Sequence, residues 1–393
     1  MSAFDEIERT LNGGATPLMT PFAYLNESAR PEAAKVRAVV DQFLANYPPA
    51  HRQRMRDRLR QLDDVAHHSA FFELLLHELL IRQRCEIIAV EPEIPGNRRS
   101  PDFLVVAPNG SRFYLEATLA TGRSQEEAAA RRRFNEAMNA LDRMESPDFF
   151  LDIRWEGMPN QPVAGAPLRR EVSGWLQHLD YDEARQSLTS GGPVPSAVFE
   201  RHGWHITVQA MARGPNTRGR LGLRAIGSFG HRVAQMIQPH LAIKNAVTAK
   251  AGRYGDLGLP YIVAVNAMAD IAPEDSDTEA LFGTEAVEIV MRDDGFAHRE
   301  VRNADGAWRA EGGPQYTRVS AVLSTSRLTP WSLGQRRMRL ILNPWARRLL
   351  TADGVGFDRV WVENERLHTE AGLTPSQILN LAEGWPGTDD EEA

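Results

Sequence analysis

The chain has 393 residues, 42% hydrophobic and 25% charged, with 30 Gly, 24 Pro and one Cys, an ordinary globular composition long enough for one large domain or two to three average ones. The single Cys85 excludes an intramolecular disulfide and any multi-cysteine zinc site. No stretch approaches the roughly 20 apolar residues of a membrane span, and Met1-Ser2-Ala3-Phe4-Asp5-Glu6 lacks the basic-then-apolar order of a signal peptide, so a cytoplasmic protein with no membrane partner is expected. A net charge of −7 argues against non-specific coating of nucleic acid, yet it permits a local basic groove.

Residues 1–68 read as a polar, helical N-terminal extension, with Pro31 opening a helix through Ala45 and a second run from Pro49 to Leu62. Its alternating Arg52, Arg54, Arg56, Arg58 and Arg60 spread around a helix and read as a solvated face. From Ser69 the character changes: Phe71, Phe72, Leu75, Leu76, Leu79 and Leu80 recur at helical spacing and mark a buried amphipathic helix. Strand-length apolar runs follow at Glu86 to Val90, Asp102 to Ala107, Arg112 to Leu119 and Phe149 to Trp155, and Asn109-Gly110 makes a hairpin of the second and third. A charged helix from about Gln125 to Met144 separates the third and fourth runs.

Residues 156–230 read as a Gly- and Pro-rich insertion, with a helix near Leu168 to Leu179, a strand near Trp204 to Ala210 and a mobile basic loop from Ala212 to Arg220. A helix from about His231 to Tyr254 precedes a buried strand, Tyr261 to Asn266, with further strands near Arg318 to Leu323 and Met338 to Leu342. An α/β domain over 69–350, interrupted by the insertion, is the expected organisation. Residues 351–393 are expected to hold a C-terminal helix and an acidic disordered tail, Asp389-Asp390-Glu391-Glu392.

Chemistry concentrates in Arg98-Arg99-Ser100-Pro101-Asp102-Phe103-Leu104-Val105-Val106 and, past the turn, Phe113-Tyr114-Leu115-Glu116-Ala117-Thr118. An Asp at the start of one hairpin strand and a Glu on the next can stand side by side, and two such carboxylates suit a hard divalent cation that completes its shell with water and substrate phosphate. Glu116 lies between Leu115 and Leu119 in a strand that reads as buried, where an unpaired carboxylate is costly. Only three of the 45 basic residues are lysines, Lys35, Lys244 and Lys250. A lysine kept against an arginine-rich background suggests a place for a compact ammonium.

Pro101-Asp102 followed by Glu116-Ala117-Thr118 resembles the PD-(D/E)XK nuclease superfamily, the restriction-endonuclease-like fold, in which a Pro-Asp strand start precedes Glu-x-Lys on the next strand. The chain as a whole is similar to bacterial members with Glu-x-Thr in place of Glu-x-Lys. The resemblance implies a central mixed sheet flanked by helices, and hydrolysis of a phosphodiester, most simply in DNA, with Mg²⁺ or Mn²⁺. It makes Asp102 and Glu116 metal ligands and Glu73 of the preceding helix a further acid, with Glu78 second and His77 sharing the Glu73 face. It also departs from the pattern, because Thr118 stands where the superfamily's lysine orients the attacking water. Members that take that lysine from a neighbouring helix direct attention to Ile243-Lys244-Asn245-Ala246-Val247-Thr248-Ala249-Lys250, with Lys250 preferred to Lys244. Gln125, Arg123 and Arg131-Arg132-Arg133 are candidate phosphate contacts or solvated positions. The competing expectation is a nuclease-like module that binds nucleic acid or a protein partner without cutting, with room for a homodimer or a larger defence or repair assembly. A third is a small phosphodiester or nucleotide substrate.

Overall fold

The computed structural model describes residues 1–387 apart from 16–18, 123–124, 221–224, 232–237, 269–274, 293–294, 352–353 and 383. The chain forms two compact units, one of Met1–Gly14, Thr20–Gly122 and Ile237–Ala393, the other of Ala15–Met19 and Arg123–Met236.

In the first unit, helices α1 (Pro21–Glu27), α2 (Pro31–Asn46) and α3 (Pro49–Leu59) each open on proline, whose fixed φ and missing N–H suit the first helical turn. Helix α4 (Asp64–Arg82) is capped by the Asp63 carboxylate, which accepts from the Ala66 amide. It buries Phe71, Phe72, Leu75, Leu76, Leu79 and Leu80. These residues share one hydrophobic cluster with Val36, Val40, Phe43, Met55 and Leu59 and with Phe103, Val105, Phe113 and Leu115. The expected N-terminal extension is therefore part of the main core. Its arginine run is not a solvated face: Arg54, Arg58 and Arg60 pair with Glu91, Glu73 and Asp5, and Arg52 and Arg56 donate to the carbonyls of Tyr47 and Ser2.

Strands β1 (Glu86–Val90), β2 (Phe103–Val106) and β3 (Arg112–Ala120) form an antiparallel meander, with Phe103 opposite Leu115 and Val106 opposite Arg112. The β2–β3 turn places Gly110 at φ +82°, a left-handed conformation that glycine adopts without Cβ strain.

The second unit contains α5 (Gln125–Asp142), β4 (Phe149–Glu156), α6 (Gly165–Gln177), α7 (Tyr181–Thr189), β5 (Ser196–Arg201), β6 (Trp204–Ala212) and β7 (Ile226–His231). Its sheet has the order β5-β6-β4-β7, and Phe134, Leu151, Ile153, Leu168, Trp204 and Ile206 lie in a core of its own. The insertion thus begins near residue 123 and not near 156, because the α5 and β4 expected in the main sheet belong to this unit. Periodicity identifies the type of an element but not the sheet it joins. The stretch Ala212 to Arg220 is a turn-rich loop that follows β6 and is anchored by two of its arginines. Arg213 is fully buried, donates to the Ser146 carbonyl at 2.8 Å and places its guanidinium 3.8 Å from the Phe150 ring centre. Arg218 lies 3.6 Å from the Tyr181 ring centre.

The chain returns to the first unit with α8 (Pro239–Ala251), β8 (Tyr261–Ala267), α9 (Ser276–Phe282), β9 (Glu285–Arg292), β10 (Gly295–Arg302), β11 (Arg309–Ala310), β12 (Gly313–Pro314), β13 (Ala321–Ser326), β14 (Arg339–Leu342), β15 (Asp358–Glu363), β16 (Arg366–Glu370) and α10 (Pro375–Leu379). Helix α8 starts at Pro239 and not near His231, which lies in β7. Residues 351–393, expected to hold a C-terminal helix and an acidic disordered tail, hold the β15–β16 hairpin, which was not expected, and then the short helix α10, and the acidic tail lies outside the described residues.

The main sheet is mixed and eight-stranded, in the order β1-β2-β3-β8-β13-β14-β15-β16. Strand β8 is parallel to both β3 and β13, which requires crossover connections. The β3-to-β8 crossover carries the second unit and then α8. Along β8 the side chains alternate: Ile262 and Ala264 face the α4 cluster, and Val263 and Val265 face a cluster with Ile243 and Val247 of α8 and Leu281 of α9. Helices therefore cover both faces, and the order α4-β1-β2-β3-α8-β8 forms the part of the sheet that carries the site.

Leu75 is fully buried and Leu62 is 69% exposed, so Leu75→Ala is expected to cost about 2–5 kcal/mol and Leu62→Ala less than about 0.5 kcal/mol. Urea denaturation of the two variants measures the difference.

Candidate active site

Strand alternation sends Leu115 into the α4 cluster and Glu116 to the face covered by α8. Glu116 is 3% exposed, and a carboxylate so removed from water needs a cation or hydrogen-bond donors. The end of α8 supplies them. The Lys250 Nζ lies 2.5 Å from Glu116 Oε1, and the Tyr254 hydroxyl donates to Oε2 at 2.6 Å. A guanidinium nitrogen of Arg253 stands 3.6 Å from Oε1. Cations in a last helical turn also complement the negative end of the helix dipole. The Tyr254 hydroxyl lies within 3.0 Å of the Ser100 carbonyl as well, and its one proton can serve one acceptor at a time.

Asp102 precedes β2 by one residue, so extension of the Phe103–Leu115 register sets it opposite Glu116. Its Oδ2 accepts from the Ala117 amide at 2.6 Å. Burial, then the neighbouring Glu73 and Glu116 carboxylates, push the Asp102 carboxyl well above the usual carboxylate range. Glu73 of α4 is held by two groups from the N-terminal helices: the Tyr47 hydroxyl donates to Oε1 at 3.0 Å, and Arg58 donates to Oε2 at 2.6 Å. Burial and the adjacent carboxylates push both the Tyr47 and Tyr254 phenols up, so both remain protonated donors at neutral pH.

Thr118 lies two residues beyond Glu116 on the same strand face and opposite Val265. Lys244 does not join the cluster, since its Nζ donates to the Asp305 carbonyl at 2.7 Å. Glu78 is also elsewhere, bound to Asn46 and Arg82. His77 packs between Tyr47 and Phe103, with ring centroids at 4.9 and 6.0 Å. Burial lowers its pKa to about 4, so it is a neutral packing residue near pH 7. Burial pushes the Cys85 thiol up to about 11, which leaves it unreactive. Arg131 stacks on Phe134 at 4.9 Å, and Arg133 donates to the Pro159 carbonyl at 2.8 Å. Arg123 and the Gln125 side chain lie outside the described residues. The sequence reading missed Tyr47 and Arg58. Tyr47 occupies the α2 C-cap next to Pro48, and Arg58 is hidden in a run of five arginines.

Among the described residues, no group of three or more His, Cys, Asp and Glu is arranged to hold a metal ion. The expected ligand set of Asp102, Glu116 and Glu73 is not assembled, because Tyr47 and Arg58 occupy both Glu73 oxygens. What fits a cation is narrower. Asp102 and Glu116 offer carboxylate oxygens of the type Mg²⁺ and Mn²⁺ prefer, and Mg²⁺ needs only one or two carboxylates beside water and phosphate. Burial first, and then the Glu73 and Glu116 carboxylates, disfavour the charged form of Asp102, and a cation bound there would favour it.

Comparison of the chain with protein-family models, with curated proteins and with solved structures finds no match to any of the three.

A carboxyl whose pKa is raised on folding contributes its stability at low pH and loses it as pH rises through the folded value. Asp102→Asn keeps an acceptor for the Ala117 amide and removes that charge. It is therefore expected to raise the urea midpoint at about pH 7 and to leave it nearly unchanged at about pH 3.5. A lower midpoint at about pH 7 would show that the ionised carboxylate stabilises the fold.

Proposed function

We propose that this protein is a metal-dependent nuclease with a restriction-endonuclease-like core, which hydrolyses phosphodiester bonds of DNA with Mg²⁺ or Mn²⁺. The observation that carries the reading is the approach of Lys250 to Glu116, across 134 positions of sequence, beside Asp102. The helix and three strands α4-β1-β2-β3 come in the order expected from the resemblance over Ser69 to Trp155, but the helix and strand that follow in the chain, α5 and β4, belong to the second unit, and α8 and β8 stand in their place beside β3.

Asp102 and Glu116 would hold the cation, which when bound supplies Lewis acidity at the phosphate and lowers the pKa of water. The Lys250 ammonium is placed to orient the attacking water and to stabilise charge that develops on the phosphate oxygens, the task of the lysine that Thr118 replaces. Tyr254 fixes the Glu116 rotamer through Oε2. Tyr47 and Arg58 fix the Glu73 carboxyl group in place near Asp102. Thr118, a neutral hydroxyl on the same strand face, can add a hydrogen bond but no charge.

A second reading, a module that binds nucleic acid without cutting, is favoured by one feature: both Glu116 oxygens already have partners, Lys250 and Tyr254. Nicking of supercoiled plasmid with Mg²⁺, Mn²⁺ or chelator separates the two readings. For the nuclease, Asp102→Ala, Glu116→Ala and Lys250→Ala each reduce the rate by about 100-fold or more, whereas Thr118→Ala reduces it less than about tenfold. A metal-dependent rate that survives Glu116→Ala rejects the assignment of the site, and DNA binding without cleavage by the wild type supports the second reading.

A further inference from the structure

A cleft beside the candidate site is lined by Tyr254, Asp256, Arg318, Arg347 and Arg348. It lies within the first unit, and Tyr254 is shared: its hydroxyl binds Glu116 while the residue also forms part of the cleft wall. Among the described residues that line it, three are arginines and one, Asp256, is a carboxylate. Asp256 is 3.4 Å from the Arg348 Nε and accepts from the Gly258 amide at 3.0 Å, so it can neutralise one arginine at most. The Arg347 Nε donates to the Thr317 hydroxyl at 3.1 Å and its amide to the Thr317 carbonyl at 2.7 Å. The side chain is oriented while its charge remains unpaired by that contact. Arg318 makes no ion pair among the described residues. In a chain of net charge −7, such a cluster is a local anion-attracting centre. Guanidinium forks match the geometry of phosphate oxygens.

We infer that the Arg318, Arg347 and Arg348 cleft is a second phosphate subsite, which grips the DNA backbone beside the phosphodiester presented to Glu116 and Asp102. The inference rests on the nuclease reading for its direction, since Tyr254, which lines the cleft, also binds Glu116 of the proposed cutting site. The subsite positions the strand through backbone contacts and carries no base readout, so it serves every sequence alike. Asp256, which pairs with Arg348, yields it to the phosphate when DNA enters.

The test uses the full chain with a fluorescein-labelled DNA duplex of about 20 base pairs and its single strand, in chelator so that no cleavage intervenes. Binding is measured by anisotropy over a range of salt concentrations. The combination Arg318→Ala, Arg347→Ala and Arg348→Ala is expected to weaken binding at least about tenfold. It should also lower the slope of log affinity against log salt by about two, as for the loss of two to three phosphate contacts. Arg318→Glu, which breaks no ion pair, serves should the triple variant fail to fold, and it is expected to weaken binding about tenfold. Unchanged affinity and slope in the folded variants overturn the subsite, as does a wild type that binds neither DNA at low salt. A wild type that binds through these arginines but does not nick plasmid with Mg²⁺ leaves the subsite standing and rejects only the cutting reading.

Discussion

A carboxylate buried in the middle of a sheet must be neutralised where it stands, and the main unit is arranged around that demand at Glu116. The strand that carries it is flanked by β2 on one side and β8 on the other, so the sheet backbone cannot move aside to admit water. Neutralisation comes from a helix far away in sequence, whose last turn delivers Lys250 and whose end delivers Tyr254. Removal of one partner of a buried ion pair typically costs about 3–5 kcal/mol because the other charge remains stranded. The β3-to-β8 crossover, and thus the placement of α8, is coupled to the chemistry of one residue.

The same logic extends outward to a second carboxylate. Glu73 on the opposite helical layer is satisfied by Tyr47 and Arg58, which explains why the N-terminal helices are packed into the main core. Between the two neutralised acids lies Asp102, whose carboxylate accepts from the Ala117 amide and whose carboxyl is raised by burial and by its neighbours. The site is thus unevenly balanced: Glu73 and Glu116 are each paired with a cation, while burial and those two carboxylates favour the neutral form of Asp102. A divalent cation and a phosphate oxygen brought in together would correct that imbalance, and a protein that pays stability for such an arrangement has a use for the charge.

Much of this was legible from residues alone. Proline at the first turn of α2 and α3, the apolar face of α4, and the three strands around Asn109-Gly110 follow from local rules that tertiary packing did not override. Asp102 and Glu116 were singled out together because an Asp at the start of one hairpin strand and a Glu on the next can stand side by side, as the Phe103–Leu115 register allows. Lys250 was legible because lysine is scarce in this chain. Sheet membership was not: Phe149 to Glu156 reads as a buried strand, and nothing in its own pattern shows that it pairs with β6 and β7. The β15–β16 hairpin was hidden by its turn, where Asn364 and Glu365 both take positive φ without the glycine that usually marks it. Arg58 was obscured by four neighbouring arginines, each with a different partner, so the pattern of the run held no information about the one that matters.

The most direct test of the account is where a cation binds. Crystals of the protein soaked in Mn²⁺ and measured for anomalous scattering are predicted to show an ion at about 2.2 Å from carboxylate oxygens of both Asp102 and Glu116, with one Glu116 oxygen released from Lys250 or Tyr254. Anomalous density that avoids both carboxylates, or the absence of any at millimolar Mn²⁺, would contradict the claim that this cluster is a metal-dependent active site.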